Sequence, residues 1–179
     1  MNDHLIELLH DGKVAVIPTD TIYGIVAKAE KQQAVEDVYK IRGRNPDKPC
    51  IILISEIADV TIFGIDPQPY LQTLNMYWPG PVSIILPCKY PELTYLHRGT
   101  NSLAFRLPCD EWLIGLLQNT GPLIAPSANI QGDPTATTIA EAKHQFGDKV
   151  GYYLDHGEVH GKPSMVISLL NGKEQIIRR

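Results

Sequence analysis

The stretch GPLIAPSANIQGDPTATT, residues 121–138, decides the fold, because an apolar run gives way to a polar loop and then to helix-forming residues. Residues 123–125 predict a short buried strand that ends at Pro126. The loop beyond it is rich in Ser, Thr, Asn and Gly, and a helix is predicted to begin near Thr138. A strand, a polar loop and a helix in this order are typical of an α/β protein.

Short apolar runs recur along the chain and predict further strands, and helical periodicity predicts the helices between them. The predicted strands cover residues 13–17, 21–29, 50–54, 82–86, 103–107, 123–125, 150–154, 165–169 and 175–177. The predicted helices are a first short one capped by Asp3, and then residues 31–41, 68–77, 111–119 and 138–146. About eight or nine strands and four or five helices, not strictly alternating, predict one α/β domain over residues 1–179 with a mixed, twisted sheet and flanking helices.

Composition and charge narrow the class of protein. The chain has 179 residues, of which 44% are apolar and 20% charged, and its net charge is −4. This acidic balance argues against a broad nucleic-acid surface, which needs clustered Lys and Arg. The N-terminus lacks the basic region and apolar core of a secretion signal, and no apolar run approaches the roughly 20 residues of a membrane span, so we expect a cytoplasmic protein with reduced cysteines.

A basic cluster follows the second predicted helix. Lys40, Arg42, Arg44 and Lys48 place four cations within nine residues. Such cations can simply be solvated at a helix end, where they complement the helix dipole. Gly43 and the following turn residues instead favour a loop whose guanidinium groups converge on an anion.

The loop after Pro126 is the second candidate for chemistry. Ser127 and Asn129 alternate so that both can face one direction, and Thr135 continues the loop toward the next helix. Hydroxyls, free amides and a helix N-terminus suit phosphate oxygens, although the same composition also fits a plain turn with capping hydroxyls. The Walker A and GxGxxG patterns are absent from the sequence.

Nucleophilic and metal-dependent catalytic patterns are absent as well. The sequence contains no GxSxG and no HExxH, and its histidines have no spacing typical of a triad or a metal site. His156 and His160 lie in a Gly-rich segment, where solvated loop histidines are the favoured interpretation. Phosphoryl or adenylyl transfer remains the leading reaction class, because it needs only positioning and charge stabilisation.

Six segments in order resemble the motifs of the Sua5/YciO/YrdC family. They are PTDTIYGI (18–25), RGRNPDKP (42–49), WPGPVSIIL (78–86), LAFRLP (103–108), APSANIQGDPTATT (125–138) and GKPSMVISL (161–169). The resemblance implies a YrdC-like fold and a nucleotidyltransferase that makes threonylcarbamoyl-AMP from L-threonine, bicarbonate or CO2 and ATP, with release of pyrophosphate. The product would serve the N6-threonylcarbamoyl modification of adenosine 37 in tRNA.

The resemblance also implies a site, residue by residue. ATP would be bound by Arg44, Lys48, Ser102, Ser127, Thr135 and Arg178. Threonine would be bound by Thr21, Leu53, Arg106, Ala125 and Ser164. Catalysis would rest on Arg42, Arg44, Lys48, Ser127 and Asn129. The resemblance predicts Mg2+ on the departing pyrophosphate and no metal held by the protein itself.

Some residues depart from the family pattern. Arg42 stands where a Lys is common, Met165 where a Thr is common, and Leu53 where many members have a His. These departures leave open a YciO-like paralogue that carbamoyl-adenylates another acceptor, and the basic loop leaves open an RNA-binding module. The chain resembles the short YrdC-type form, which is expected to pass its product to a threonylcarbamoyl-transferase complex and to contact tRNA through the basic loop.

Overall fold

The computed structural model describes residues 2–179, and its centre is a nine-stranded sheet. The strands are β1 Ala15–Ile17, β2 Gly24–Lys28, β3 Ile51–Leu53, β4 Val82–Pro87, β5 Ser102–Arg106, β6 Leu123–Ile124, β7 Tyr152–Tyr153, β8 Met165–Ser168 and β9 Gln175–Arg178. The α-helices are α1 Asp3–His10, α2 Gln32–Arg42, α3 Leu71–Tyr77, α4 Thr94–His97, α5 Glu111–Thr120 and α6 Ile139–Phe146. Short 3-10 helices cover Ile57–Phe63, Gln68–Tyr70, Pro91–Leu93 and Gly147–Lys149.

The sheet is mixed, as predicted, and its strand order is β7-β1-β2-β6-β3-β5-β4-β8-β9. The pairs β1–β7, β3–β5 and β4–β8 are parallel, whereas the other neighbouring pairs are antiparallel. The α/β class with a mixed sheet and flanking helices is therefore confirmed. Helix α4 was not predicted, because four residues are too few to carry a helical period.

The first helix corrects one prediction about its cap. The side chain of Asn2, not that of Asp3, accepts a hydrogen bond from the backbone N–H of Leu5 at 3.2 Å. Asp3 is instead the first helical residue, where its negative charge complements the helix dipole. Gly12 follows the helix with a φ of 78°, a left-handed conformation that favours glycine.

Two hydrophobic cores lie on opposite faces of the sheet. The larger one packs α2 and α6 against strand residues such as Ile52, Ile84 and Phe105. The smaller one packs Leu9 of α1 and Leu113 of α5 against residues 15, 17, 26, 53 and 123. Helices α1 and α5 therefore cover the second face over only part of the sheet.

The alternation along β5 places the site on the uncovered part of that second face. Leu103 and Phe105 belong to the larger core, whereas Ser102, Ala104 and Arg106 line a cavity on the other side. Successive side chains of a strand point to opposite faces, so every second residue of β5 is available to a ligand.

The described helices are short. The longest, α2, has 11 residues, and a membrane-spanning helix needs about 20. No helix among residues 2–179 is long and apolar enough to cross a membrane.

Candidate active site

The cavity on the uncovered face has a volume of about 380 Å³. Pockets for small molecules typically range from roughly 300 to 1,000 Å³. Nine of the residues implied by the family resemblance line it: Thr21, Arg44, Ser102, Arg106, Ala125, Ser127, Thr135, Ser164 and Arg178. The structure thus brings together residues from most of the length of the chain.

Four other predicted residues lie outside the lining: Arg42, Lys48, Leu53 and Asn129. Lys48 is exposed, and its backbone carbonyl accepts a hydrogen bond from the Tyr39 hydroxyl at 2.8 Å. Leu53 is fully buried in the smaller core beside α1 and α5. A direct contact between Leu53 and a ligand is not available in this arrangement, so we leave it out of the proposed threonine site.

Arg44 stands on a loop that begins where α2 ends. Gly43 adopts a φ of 57° and turns the chain out of the helix. The Arg44 guanidinium then donates from Nε to the Lys48 carbonyl at 3.1 Å and from Nη2 to the Pro49 carbonyl at 2.8 Å. Among residues 2–179 no carboxylate pairs with Arg44. Its charge is held in place and remains available to an anion.

Arg42 lies behind the cavity wall and supports the loop that follows β6. It is only 3% exposed, and its Nε donates to the Asn129 carbonyl at 2.9 Å. Its Nη2 donates to the Asn129 side-chain oxygen and to the Ser127 hydroxyl, at 3.1 and 3.2 Å. Burial lowers the pKa of Arg42 to about 10, with the nearby charge of Arg44 as a second cause. Arg42 and Asn129 therefore act on the cavity through Ser127.

A tight turn between β1 and β2 places Thr21 in the cavity. The Thr19 hydroxyl donates to the Ile22 carbonyl at 2.7 Å and accepts from the backbone N–H of Thr21 at 3.2 Å. The hydroxyls of Thr19 and Thr21 lie 3.0 Å apart. Hydroxyl-to-backbone bonds of this kind compete with strand pairing, so β2 begins at Gly24 rather than at Thr21 as predicted.

The turn also carries Asp20, which the sequence analysis did not single out. Its Oδ1 lies 3.0 Å from Nη2 of Arg106, and both side chains are buried. Burial raises the pKa of Asp20, and the charge of Arg106 opposes that shift. The only signal in the sequence was the polar tripeptide 19–21 between two apolar runs, which does not reveal that the partner is on β5.

A second arginine lies near Arg106. Arg178 of β9 donates from Nε and Nη2 to the Ser164 carbonyl, at 3.1 and 2.7 Å. The Ser164 hydroxyl in turn lies 2.8 Å from the Ser83 hydroxyl. Burial lowers the pKa of Arg106, and the charge of Arg178 contributes to that shift. Arg106 and Arg178 both line this part of the cavity, and among residues 2–179 only Arg106 of the two forms an ion pair, which leaves positive charge for a ligand anion.

The loop of residues 155–164 crosses from β7 toward β8 and packs against the turn. Its Gly161 approaches the Thr21 carbonyl so closely that an added Cβ would overlap it. Val159 donates its backbone N–H to the Thr137 carbonyl at 2.9 Å. These contacts place Ser164 at the cavity wall.

The charged groups of the cavity suit anions rather than a bare metal ion. Among residues 2–179 no group of three or more His, Cys, Asp and Glu side chains could hold a metal ion. The charged side chains that line the cavity are Arg44, Arg106 and Arg178. Mg2+ prefers carboxylates, water and substrate phosphates, so it fits this site only as a companion of a bound nucleotide.

Comparison with known proteins identifies the relatives of this chain. The family model Sua5_yciO_yrdC, described as "Telomere recombination", matches residues 7–179. The threonylcarbamoyl-AMP synthase of Bacillus subtilis is 31% identical over 175 residues, which cover 96% of this chain and 51% of that protein. That of Pseudoalteromonas translucida is 30% identical over 173 residues, which cover 94% of this chain and 92% of that protein.

Solved structures with a similar fold are known. Pyrococcus abyssi Sua5 complexed with L-threonine superimposes with a TM-score of 0.88 at 29% identity, covering 98% of this chain and 52% of that one. Escherichia coli YciO, at 22% identity and a TM-score of 0.84, shares the fold. The chain spans about half the length of the B. subtilis and P. abyssi relatives that it matches. The match over residues 7–179 shows that this chain belongs to the Sua5/YciO/YrdC family.

Proposed function

We propose that this chain forms threonylcarbamoyl-AMP from L-threonine, bicarbonate or CO2 and ATP, and releases pyrophosphate. One observation carries the proposal: a single cavity joins Arg44, which has no carboxylate partner among residues 2–179, to a second cationic region at Arg106 and Arg178. The relatives named threonylcarbamoyl-AMP synthase support this assignment. The product would be used for the modification of adenosine 37 in tRNA by a threonylcarbamoyl-transferase complex.

The nucleotide is assigned to the part of the cavity around Arg44. The Arg44 guanidinium matches phosphate oxygens in geometry as well as charge. The hydroxyls of Ser102, Ser127 and Thr135 line the same cavity and can donate to phosphate or ribose oxygens. Lys48 is exposed on the Arg44 loop, where its flexible side chain can reach an outer phosphate. Mg2+ is proposed to accompany the phosphates.

Threonine is assigned to the part of the cavity around Arg106. Its α-carboxylate would be bound by the positive charge that Asp20 leaves uncompensated at Arg106 and Arg178. The hydroxyls of Thr21 and Ser164 are placed to bond the polar groups of the amino acid, with Ala125 beside them. The solved complex of P. abyssi Sua5 with L-threonine supports an amino-acid site in this fold.

The proposed reaction needs no protein nucleophile. The threonine amine attacks CO2, forms a C–N bond and loses a proton, which gives N-carboxy-threonine. Its new carboxylate attacks the α-phosphate of ATP, and the bond from that phosphorus to the bridging oxygen breaks to release pyrophosphate. Arg44 would neutralise charge on the phosphates, an effect of roughly 3 kcal/mol per well-placed donor.

Pyrophosphate release tests the proposal directly. Purified protein would be incubated with ATP, Mg2+, bicarbonate and one amino acid at a time, with glycine and no amino acid as controls. We expect release that depends on L-threonine and a product with the mass of threonylcarbamoyl-AMP. Release with L-threonine no greater than with glycine would overturn the proposal.

The structure bears on the alternative of a YciO-like enzyme with another acceptor. That alternative was motivated by Arg42, Leu53 and Met165, and none of these residues lines the cavity. Met165 packs against the larger core, while its neighbours Ser164 and Val166 line the cavity. Arg42 reaches the cavity only through Ser127, so these departures give no direct argument for another acceptor, and the amino-acid panel separates the two enzymes.

The RNA-binding alternative is weakened by the position of its cations. Arg42 is buried and Arg44 bonds its own loop, whereas Lys40 and Lys48 are the exposed members of the cluster. A tRNA contact through this loop would therefore use two lysines. RNA affinity that falls steeply with salt and does not respond to ATP would favour the binding module over the enzyme.

A further inference from the structure

The ring of Tyr39, on α2, is contacted by two guanidinium groups. The Cζ atom of Arg98 lies 3.9 Å from the ring centroid, and that of Arg44 lies 5.8 Å from it. Both distances are within the range of an attractive cation–π contact, and Tyr39 is buried. One aromatic ring therefore contacts an arginine that lines the cavity and a second arginine that does not.

Arg98 is fixed in this position from several directions. Its Nη1 pairs with Oε1 of Glu36 at 2.9 Å, one turn of α2 before Tyr39. Its backbone has a φ of 52°, which a residue other than glycine rarely adopts. Its Nε and Nη2 are buried and have no hydrogen-bond partner within the described range, 2–179. Its guanidinium lies over the ring of Tyr39, a stacking contact that a planar guanidinium can make and an ammonium cannot.

Tyr39 and Arg44 also meet at one acceptor. The Tyr39 hydroxyl and Nε of Arg44 both donate to the Lys48 carbonyl, at 2.8 and 3.1 Å. The loop of residues 43–49 thus closes on the ring of Tyr39. The direction in which Arg44 points depends on where that ring lies.

Arg98 shortly precedes two residues that line the cavity. It is followed by Thr100 and Ser102, whose hydroxyls are 3.1 Å apart and both belong to the cavity. Arg44 and Ser102 come from different elements, and Arg98 connects these two parts of the chain through its contacts with Tyr39 and Glu36 of α2. The distance between Arg44 and Ser102 therefore depends in part on the stack.

We propose that Tyr39 and Arg98 are positioning residues for nucleotide binding. They promote it by keeping the Arg44 loop and the Thr100–Ser102 segment at a fixed distance from each other. This inference rests on the proposed function, because it takes the ATP site to lie between these segments. A structural contact would affect stability, whereas a positioning contact affects affinity for ATP selectively.

Three substitutions test the stack by different means. Tyr39→Leu removes the ring, Tyr39→Phe keeps the ring but removes the hydroxyl, and Arg98→Lys keeps a charge near Glu36 but removes the planar group. We expect Tyr39→Leu and Arg98→Lys to raise the Kd and KM for ATP by about tenfold, with the KM for threonine changed by less than about twofold. Tyr39→Phe should lie within about threefold of wild type, because the stack remains.

Tyr153 supplies a matched control in the same chain. It also carries a cation near its ring, Lys143 at 5.6 Å, and its hydroxyl donates to the Gly147 carbonyl at 2.6 Å. It does not line the cavity. Tyr153→Leu should therefore lower stability without a selective change in the Kd for ATP, measured by calorimetry on folded protein.

The outcomes separate this inference from the proposed function. The positioning role alone would be overturned if wild type binds ATP and the Kd for ATP of Arg98→Lys and Tyr39→Phe lies within twofold of the wild-type value, provided that Tyr39→Leu shows one of two results. Either its Kd is also unchanged, or Tyr153→Leu raises the Kd by the same factor. Equal loss of ATP and threonine affinity in Arg98→Lys would also overturn it. Wild type that binds ATP but makes no threonine-dependent product would overturn the proposed function and leave the ATP measurements decisive. Wild type that binds no ATP would overturn both.

Discussion

The carboxylate of Asp20 lies 3.0 Å from the guanidinium of Arg106, and their side chains are 2% and 4% exposed. Removing two such charges from water is unfavourable, and their mutual attraction offsets this only when the geometry is good. We therefore attribute a functional role to the pair rather than a net contribution to stability. Because Nε of Arg106 has no hydrogen-bond partner in the part of the chain that the structure describes, the guanidinium can pair with Asp20 and still donate to a ligand.

Arg106→Lys should weaken threonine binding selectively. Lysine keeps the charge but loses the forked donors, and hydrogen bonds between charged groups contribute about 1.5–3 kcal/mol. We expect the KM for threonine to rise by roughly 10- to 100-fold, with the KM for ATP changed by less than about twofold. Arg179→Lys, at an exposed neighbour of Arg178, is the control. Equal changes in both KM values would contradict the assignment of Arg106 to threonine.

Asp20→Asn should change the pH dependence of stability. Burial raises the pKa of Asp20 above 3.8, so the folded protein holds its proton more tightly than the unfolded chain does. The stabilisation from this proton is fully present below the ordinary pKa and is lost as pH rises through the raised pKa. The free energy of unfolding of wild type, relative to Asp20→Asn, should therefore fall as pH rises above the ordinary pKa of 3.8 and through the raised pKa.

Urea denaturation of both proteins at matched pH measures this difference. The asparagine variant cannot titrate at position 20, so the other groups cancel in the comparison. A difference that is constant with pH would mean that the pKa of Asp20 is not raised.

The sequence predicted the strands well because apolar runs and alternation are local signals. It did not predict which face of a strand a motif residue occupies relative to the cavity. Leu53 was assigned to the threonine site through the family resemblance, yet the packing of α1 and α5 places it in the smaller core. The segment around Ser127 was found because its residue types carry chemistry, whereas Arg106 was assigned through the family resemblance. Asp20 was missed because its partner is set by strand order, which composition does not encode.

Arg44→Ala should weaken ATP binding while Lys40→Ala should not. Arg44 lines the cavity and has no carboxylate partner among the described residues, whereas the Lys40 side chain is 72% exposed and its Nζ lies 3.7 Å from Oδ1 of Asp37. Loss of one charged donor to phosphate is expected to raise the Kd for ATP by roughly 10- to 100-fold. Both variants lose one charge from the same cluster. Equal effects in calorimetric titrations would indicate general electrostatic attraction instead of a defined phosphate contact.

Arg42→Met should destabilise the fold and weaken ATP binding together. The substitution removes three donated hydrogen bonds and leaves the buried Asn129 carbonyl without the guanidinium that satisfies it. We expect a loss of about 2–4 kcal/mol in the free energy of unfolding, with a higher Kd for ATP because Ser127 loses its support. Arg42→Lys can restore one of these bonds and should lie between Arg42→Met and wild type. Stability equal to wild type in Arg42→Met would contradict the supporting role.

Removal of divalent metal ions should affect the nucleotide complex and not the protein alone. The lining presents arginines, and no cluster of potential metal ligands occurs among residues 2–179, so Mg2+ is expected to arrive with the phosphates of ATP. A chelator should leave the thermal midpoint of the ligand-free protein unchanged. It should abolish the rise in midpoint that ATP and Mg2+ produce by mass action, and added Mg2+ should restore that rise. A chelator that lowered the midpoint of the ligand-free protein would instead indicate a metal ion held by the chain itself.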